Sequence, residues 1–147
     1  MKQVQQSATV VWEGSIARGS GTITGASGSL GPVPYDLPTR VGESVGKSSP
    51  EELLAAAHAA CFTTALGRIL ARAKTPPEHL EVTATVTLDM SGDRPRIPTS
   101  HLTATGVVPG CGSEEFAAAV KQAEQQCLIS RVLTGGAVAV EATGGLD

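Results

Sequence analysis

The chain has 147 residues, a formal net charge of −3 and a pI of about 5.6. This length suits one domain, predicted over residues 1–147, and argues against a two-domain enzyme. The charge provides no broad electrostatic attraction for nucleic acid or anionic lipid. Only 3% of the residues are aromatic, so each buried side chain removes little apolar surface from water. We therefore expect a thin core that benefits from a partner subunit.

The cysteines and the apolar runs indicate the cellular location of the protein. No uninterrupted apolar run approaches the roughly 18 residues needed to cross a bilayer, and the start MKQVQQSA has no hydrophobic signal core. Three cysteines, Cys61, Cys111 and Cys127, are an odd set for a secreted disulfide framework. We expect a cytoplasmic protein with no membrane partner, in which any functional thiol is a reactive one.

The first third of the chain alternates short strand signals with turn residues. Residues 8–12 and 16–24 are β-prone and broken by glycines, which predicts a hairpin and two or three strands. Residues 25–47 contain too many Gly, Pro and Ser residues for a long element. They are also numerous enough to form a functional loop, and Arg40 lies inside it.

The strongest local signal is the segment SPEE that begins at Ser49. Ser49 can cap the first free amides of a helix, Pro50 fits the first helical position, and Glu52 can complete a capping box. The segment LLAAAHAACFTTALGRILARA follows, rich in helix formers and apolar on nearly every side. It predicts a central helix buried on several faces, which ends before Pro76.

The remaining elements follow from periodicity. Residues 80–90 alternate cleanly between apolar and polar side chains, which predicts a half-buried strand, and residues 101–108 predict an antiparallel neighbour. Ser113 offers a cap for a helix that runs to residue 126. Residues 128–133 either continue this helix or restart as a short one, and residues 137–142 alternate weakly as a last strand. The order of elements predicts an α+β domain with antiparallel sheets.

Two cysteines lie on or near the predicted helices. Cys61 is on the central helix and Cys127 is near the end of the next long one, 66 residues later. A thiol on an apolar helix is commonly a small core side chain, so position alone does not establish a redox pair. A reactive Cys61 needs a lowered pKa, because the thiolate is the nucleophile. Its own helix begins too far away to help, which leaves Arg40, Arg68 or His58 as the required cation.

Four segments carry a family resemblance: VWEGSIARGSGTI, TRVGE, SSPEELLAAAHAACF and PGCGSEEFAAAVKQAEQQCLIS. Together they resemble the osmotically inducible protein C (OsmC) branch of the superfamily that includes the organic hydroperoxide resistance (Ohr) proteins, over nearly the whole chain. The resemblance implies an intertwined homodimer of α+β subunits that reduces organic hydroperoxides in stress defence. It implies no bound cofactor and an external reductant, either a dithiol or a lipoyl protein.

The resemblance also implies roles for individual residues. Cys61 corresponds to the peroxidatic thiol and Cys127 to the resolving thiol, joined in a transient disulfide. Arg40 corresponds to the activating cation, and Glu51 corresponds to the carboxylate that orients it.

Other arginines and two departures from the family pattern leave alternatives open. Arg18 and Arg68 could do the work assigned to the activating cation. Leu128 follows Cys127 where the family frequently has proline, which bears on the helix break that frees the resolving thiol. Cys111 is an additional cysteine in a predicted turn, with no mechanistic role expected.

Spacing constrains how these residues meet. Glu51 and Cys61 are ten residues apart on one helix, which separates their backbones by about 15 Å along its axis. Either an arginine spans part of this gap, or Glu51 serves the site of a partner chain. We expect the second arrangement, an obligate dimer with composite sites at its interface.

Two other functions would use the same thiol. Cys61 and His58, three residues apart on a helix, could form a hydrolase or acyltransferase pair, but that pair has no third member and gives Cys127 no task. In a redox sensor or a small-ligand-binding stress protein, Cys61 would be oxidised once, without turnover. No metal site is predicted, because the sequence has no CxxC pair.

Overall fold

The computed structural model describes residues 2–42 and 45–146 of the chain. Their helices and antiparallel strands confirm the predicted α+β class. The elements are β1 (Ala8–Glu13), β2 (Ser20–Gly25), β3 (Val33–Tyr35), α1 (Leu37–Val41), α2 (Pro50–Arg72), β4 (His79–Asp89), β5 (Arg96–Val107), α3 (Ser113–Gln126) and α4 (Leu128–Leu133).

The chain divides into two compact units. The first comprises Met1–Ala55 and Val86–Ser100, and the second comprises Ala56–Thr85 and His101–Asp147. The single domain predicted over residues 1–147 stays a prediction. Glu43, the last residue of the family-like segment TRVGE, lies outside the described residues.

The first unit opens with the predicted hairpin. β1 pairs antiparallel with β2, and β2 pairs antiparallel with β3, giving a three-stranded sheet in the order β1-β2-β3. Gly21 lies opposite Tyr35 in this sheet, and a Cβ atom at Gly21 would stand 2.2 Å from the tyrosine ring. The glycine therefore lets Tyr35 lie close to the strand, where it makes an edge-to-face contact with Trp12 at 5.6 Å between ring centroids.

The segment predicted as a long loop contains β3 and the short helix α1. Asp36 and Thr39 form a reciprocal capping box: Asp36 Oδ1 accepts from the Thr39 amide at 2.9 Å, and Thr39 Oγ1 accepts from the Asp36 amide at 3.1 Å. Pro38 lies inside the first turn, where its missing N–H costs nothing. The described residues of this segment form no long element, as predicted, but the short elements β3 and α1 were missed because glycine and proline frequency obscured a local cap. Arg40 lies in the last turn of α1.

α2 begins where the capping signal places it. The Glu52 amide donates to Ser49 Oγ at 3.1 Å, as predicted. The prediction that Glu52 completes a capping box with Ser49 was wrong, because its carboxylate accepts from the hydroxyl of Ser48 at 3.1 Å. The helix ends at Arg72, and Lys74 follows with a φ of 63°. The start and the end of the central helix are therefore confirmed.

The prediction that α2 is buried on several faces was wrong for the single chain. Its buried apolar residues form one stripe at helical spacing: Phe62, Leu66, Ile69 and Leu70. The neighbouring faces, with Ala56, Ala57, Ala60 and Thr64, are exposed because no described element covers them. By length and composition α2 is also apolar enough to cross a membrane, a test that core helices pass as well. Its buried stripe identifies it as a core helix.

The strands β4 and β5 form a two-stranded sheet. The predicted alternation in β4 is confirmed, since Val82, Ala84 and Val86 are partly buried while Glu81 and Thr83 are exposed. β5 begins five residues before its predicted start.

The helices α3 and α4 complete the second unit. Gly112, not Ser113, is the cap of α3, because its amide donates to the Glu115 carboxylate at 2.9 Å. Residues 128–133 restart as a separate helix, which was one of the two predicted alternatives.

The prediction of a last strand was wrong. Residues 137–142 form no strand, and Val140 is 89% exposed. Alternating alanine and valine bury little apolar surface. No described strand pairs with this segment, so no hydrogen-bonded partner stabilises it as a strand in the single chain.

Candidate active site

Both predicted thiols belong to the core of the second unit. Cys61 is half-buried on α2, and Cys127, only 1% exposed, is the residue that separates α3 from α4. The backbone of Cys127 is extended, with φ −66° and ψ 123°, so the helix breaks there although Leu128 stands where the family frequently has proline. Packing of α2 against this junction brings together two cysteines that lie 66 residues apart in sequence.

The surroundings of Cys61 favour its thiolate. Burial raises the pKa of the Cys61 thiol, but hydrogen bonds from the Ile129 amide, the Cys127 thiol and the Leu128 amide outweigh burial and hold this pKa below its ordinary value. The two amides belong to the first residues of α4, and the thiol belongs to the residue before them. Cys61 and these donors therefore form one compact group, which we call the thiol centre (Cys61, Cys127, Leu128 and Ile129).

Sequence reasoning missed these donors. It looked for a cation because the start of the helix that carries Cys61 is too distant, and it did not consider amides from another helix. The available signal was the short run after Cys127, which was predicted as one of two alternatives to restart as a helix. A restart of that kind leaves the first amides of the new helix without helical partners.

A second buried bond joins α2 to α4. His58 Nε2 and Ser130 Oγ are 2.8 Å apart, and the two residues are 3% and 5% exposed. Burial lowers the pKa of His58, with the charge of Glu124 acting in the opposite direction. Burial therefore favours the neutral imidazole, which argues against His58 as the activating cation.

Arg40 and Glu51 pair in the first unit. Arg40 Nε donates to Glu51 Oε1 at 2.8 Å, which joins the last turn of α1 to the first turn of α2. The Arg40 side chain is 47% exposed and that of Glu51 is 9% exposed. The structure thus brings together the predicted cation and its predicted carboxylate. The other oxygen, Glu51 Oε2, is buried with no hydrogen-bond partner among the described residues.

An open cavity of about 320 Å³ lies beside Arg40 within the first unit. Trp12 and Tyr35 form part of its wall, so its lining is richer in aromatic surface than the alanine-rich sequence suggests. The other lining residues are Ile16, Asp36, Leu37 and Pro50. The cavity therefore offers an apolar surface with a guanidinium at its edge.

The remaining candidates lie elsewhere. Arg18 and Arg68 are exposed, Arg18 in the β1–β2 turn and Arg68 on α2. Cys111 is half-buried, and its thiol donates to the carbonyl of Gly112 at 3.6 Å. In the part of the chain that the structure describes, no group of three or more His, Cys, Asp or Glu side chains is arranged to hold a metal ion.

Comparison with known proteins identifies the family of the chain. The family model for OsmC-like proteins matches residues 42–143. The chain is 39% identical over 122 residues to Peroxiredoxin OsmC of Escherichia coli, covering 83% of this chain and 85% of the relative. It matches Peroxiredoxin OsmC of Shigella flexneri to the same extent.

Solved structures share the fold. An organic hydroperoxide resistance protein of Elizabethkingia anophelis superposes with a TM-score of 0.70 at 26% identity, over 92% of both chains. The organic hydroperoxide resistance protein OhrB of Bacillus subtilis superposes with a TM-score of 0.67 at 26% identity, over 88% of this chain and 91% of that one. On the family match and the 39% identity, the chain belongs to the OsmC-like protein family.

Proposed function

We propose that the protein is a cysteine-based peroxidase that reduces organic hydroperoxides to alcohols. The observation that carries this proposal is that Cys61 packs against the core cluster that contains Cys127, in surroundings that lower the pKa of Cys61. A thiolate beside a second thiol is the arrangement that a two-cysteine peroxidase needs. Relatives named as peroxiredoxins and organic hydroperoxide resistance proteins support the same class of reaction.

In the first step, the Cys61 thiolate attacks the outer oxygen of the hydroperoxide. A sulfur–oxygen bond forms as the oxygen–oxygen bond breaks, and the departing alkoxide takes a proton and leaves as the alcohol. Cys61 is oxidised by two electrons to the sulfenic acid, while the peroxide is reduced by two.

In the second step, Cys127 resolves the intermediate. Its sulfur attacks the sulfenic sulfur, water leaves, and a Cys61–Cys127 disulfide forms. An external dithiol or a lipoyl protein then supplies two electrons and two protons to restore both thiols. No bound cofactor enters this cycle.

We assign Arg40 as the activating cation and Glu51 as the carboxylate that orients it. A guanidinium near the reacting atoms stabilises the thiolate and also the negative charge that grows on the departing oxygen. The 2.8 Å bond to Glu51 supports the orienting role, because it fixes one edge of the guanidinium while half of the side chain stays exposed. The apolar cavity beside Arg40 supports an alkyl or aryl substrate.

We propose that the active unit is a homodimer with composite sites. The exposed alanine-rich faces of α2 support a partner, since an apolar helix of 23 residues gains stability when those faces are covered. The unpaired, buried Glu51 Oε2 supports a group supplied from outside the described chain. The ten-residue spacing of Glu51 and Cys61 on α2 supports a site shared between chains.

We place this activity in the cytoplasm. The three cysteines, all free, suit a reducing compartment in which a catalytic disulfide forms only transiently. Partitioning of the protein between cell fractions tests this assignment.

Stopped-flow oxidation by cumene hydroperoxide and by hydrogen peroxide tests the proposed reaction. We expect Cys61→Ser to lose the fast phase, and Cys127→Ser to keep it while losing turnover with a dithiol. Cys111→Ser is the matched control, because it removes the cysteine that has no assigned role. A fast phase that survives Cys61→Ser would refute the proposed nucleophile.

Dithiol-coupled turnover separates this function from its alternatives. A redox sensor would consume one equivalent of hydroperoxide and stop, whereas a peroxidase consumes many. A hydrolase built on Cys61 and His58 would keep its activity in Cys127→Ser, whereas the proposed peroxidase would not.

A further inference from the structure

Two contacts, one helical turn apart, fasten α4 to α2. His58 and Cys61 are three residues apart on α2, so they lie on one face of that helix. Cys127 and Ser130 are likewise three residues apart, at the start of α4. His58 bonds to Ser130 at 2.8 Å, and Cys61 packs against the core cluster that contains Cys127. Because His58 meets Ser130 and Cys61 meets the region of Cys127, the two segments run in opposite directions and the two contacts are one turn apart.

Two contacts of different kinds anchor the start of α4. The helix has six residues, all of them described, and Ser130 is the one that is buried. Leu128 is 65% exposed, whereas Ile129 packs against the core. The hydroxyl of Ser130 bonds to the His58 imidazole. The position of α4 is therefore held by one apolar contact and by one directional polar bond.

A buried polar pair of this kind adds little net stability. An apolar pair of the same shape would serve the core equally well, so the bond to His58 is better explained by what it orients. Ser130 directly follows Ile129 and lies two residues after Leu128, and the amides of these two residues donate to the Cys61 sulfur. A rotation or shift of α4 at Ser130 would carry both donors away from the sulfur.

We propose that His58 is a positioning residue, which acts through Ser130 to hold the Leu128 and Ile129 amides against the Cys61 sulfur. This inference rests on the proposed function, in which Cys61 is the nucleophile. It gives the histidine of the HAAC segment a task that does not involve accepting or donating a proton in the reaction.

The pH dependence of Cys61 alkylation by iodoacetamide tests the proposal, with modification of Cys61 followed by peptide mass. We expect Ser130→Ala to raise the midpoint of this profile by about one pH unit, which lowers the alkylation rate about tenfold below the midpoint. Ser130→Thr keeps the hydroxyl and should retain the wild-type midpoint. A Ser130→Ala midpoint equal to that of the wild type would overturn the proposal.

Two comparisons separate positioning from simple stability. Ile69→Val trims the same core eight residues beyond Cys61, so it should lower the melting temperature without moving the midpoint. If Ser130→Ala does not fold, His58→Gln and His58→Leu replace it. Glutamine keeps a polar group near the position of Nε2, and only leucine should raise the midpoint. Equal midpoints in these two variants would also overturn the proposal.

Failure of this inference is distinguishable from failure of the proposed function. Alkylation requires no peroxide, so the midpoint can shift as expected even in a protein that does not reduce hydroperoxides. Conversely, full peroxidase turnover in wild type, combined with an unshifted midpoint in Ser130→Ala, refutes the role of His58 alone.

Discussion

The thiol centre and the Arg40–Glu51 pair hold their groups in opposite ways. The thiol centre is built into the core of its unit, where Cys127 is 1% exposed and the donors to Cys61 include two backbone amides. Arg40 is half exposed, and its guanidinium is held by a bond to one carboxylate. Packing thus fixes the surroundings of the sulfur, whereas about half of the Arg40 side chain is left unpacked. Substitutions near the sulfur should therefore affect folding, and substitutions at the pair should affect the reaction.

The largest effect is expected from truncation of the core beneath the thiol centre. Leu66 is fully buried on α2, so Leu66→Ala should lower the free energy of unfolding by about 2–5 kcal/mol. Arg40→Ala removes a pair in which the arginine is half exposed but the glutamate is buried, so it should cost less than Leu66→Ala, on the order of 1–2 kcal/mol. Urea unfolding measures both values, and equal losses would contradict the contrast between the two regions.

Arg40→Ala should instead act on the reaction. Loss of a charged donor near the developing negative charge should lower kcat/KM for cumene hydroperoxide on the order of a hundredfold. Arg68→Ala is the matched comparison, because it removes an exposed arginine from α2. Steady-state kinetics with a dithiol reductant measures both variants. A larger loss in Arg68→Ala would move the activating role away from Arg40.

Glu51→Gln tests whether the charge of the carboxylate matters for the reaction or for the fold. Glutamine keeps the shape and one acceptor oxygen but removes the charge, and a charged acceptor makes a bond roughly twice as strong as a neutral one. We expect kcat/KM to fall by about tenfold, with little change in the urea midpoint because Glu51 Oε2 has no partner to lose. A large loss of stability with unchanged kcat/KM would show that Glu51 serves the fold.

The smallest effect concerns the cap of α1, which carries Arg40. A side-chain bond from Lys47 and the Thr39 amide lower the pKa of Asp36. Because this pKa is lower in the folded state, the stabilisation is present above the unfolded value near 4 and is lost as pH falls through the folded value. Acid titration of the fluorescence of Trp12, the single tryptophan, should show a transition that Asp36→Asn weakens. An identical transition in both proteins would exclude Asp36 as its source.

The parts of the fold that were predictable depend on local signals. Ser49 and Pro50 indicated the start of α2, and strict alternation indicated β4. Capping and side-chain periodicity depend on residues that are close together in the sequence. α1 was missed because its cap, formed by Asp36 and Thr39, is surrounded by glycine and proline. The last strand was predicted from a weak pattern in residues 137–142 that has no pairing partner in the described chain.

The candidate site residues come from the family resemblance, whereas their geometry comes from the structure. The family resemblance named Cys61, Cys127, Arg40 and Glu51, and the structure pairs the two cysteines and, separately, the arginine with the glutamate. The amide donors and the bond from His58 to Ser130 could not be predicted. They depend on how α4 packs on a helix some seventy residues earlier in the chain, and no local sequence pattern predicts that packing.

Peptide mapping after oxidation tests the central claim most directly. Reduced protein is treated with one equivalent of cumene hydroperoxide, blocked with an alkylating reagent and digested without reductant. The account predicts a Cys61–Cys127 linked peptide, with Cys111 recovered in alkylated form. A linkage through Cys111, or recovery of Cys61 as a free alkylated thiol after the peroxide has been consumed, would contradict it.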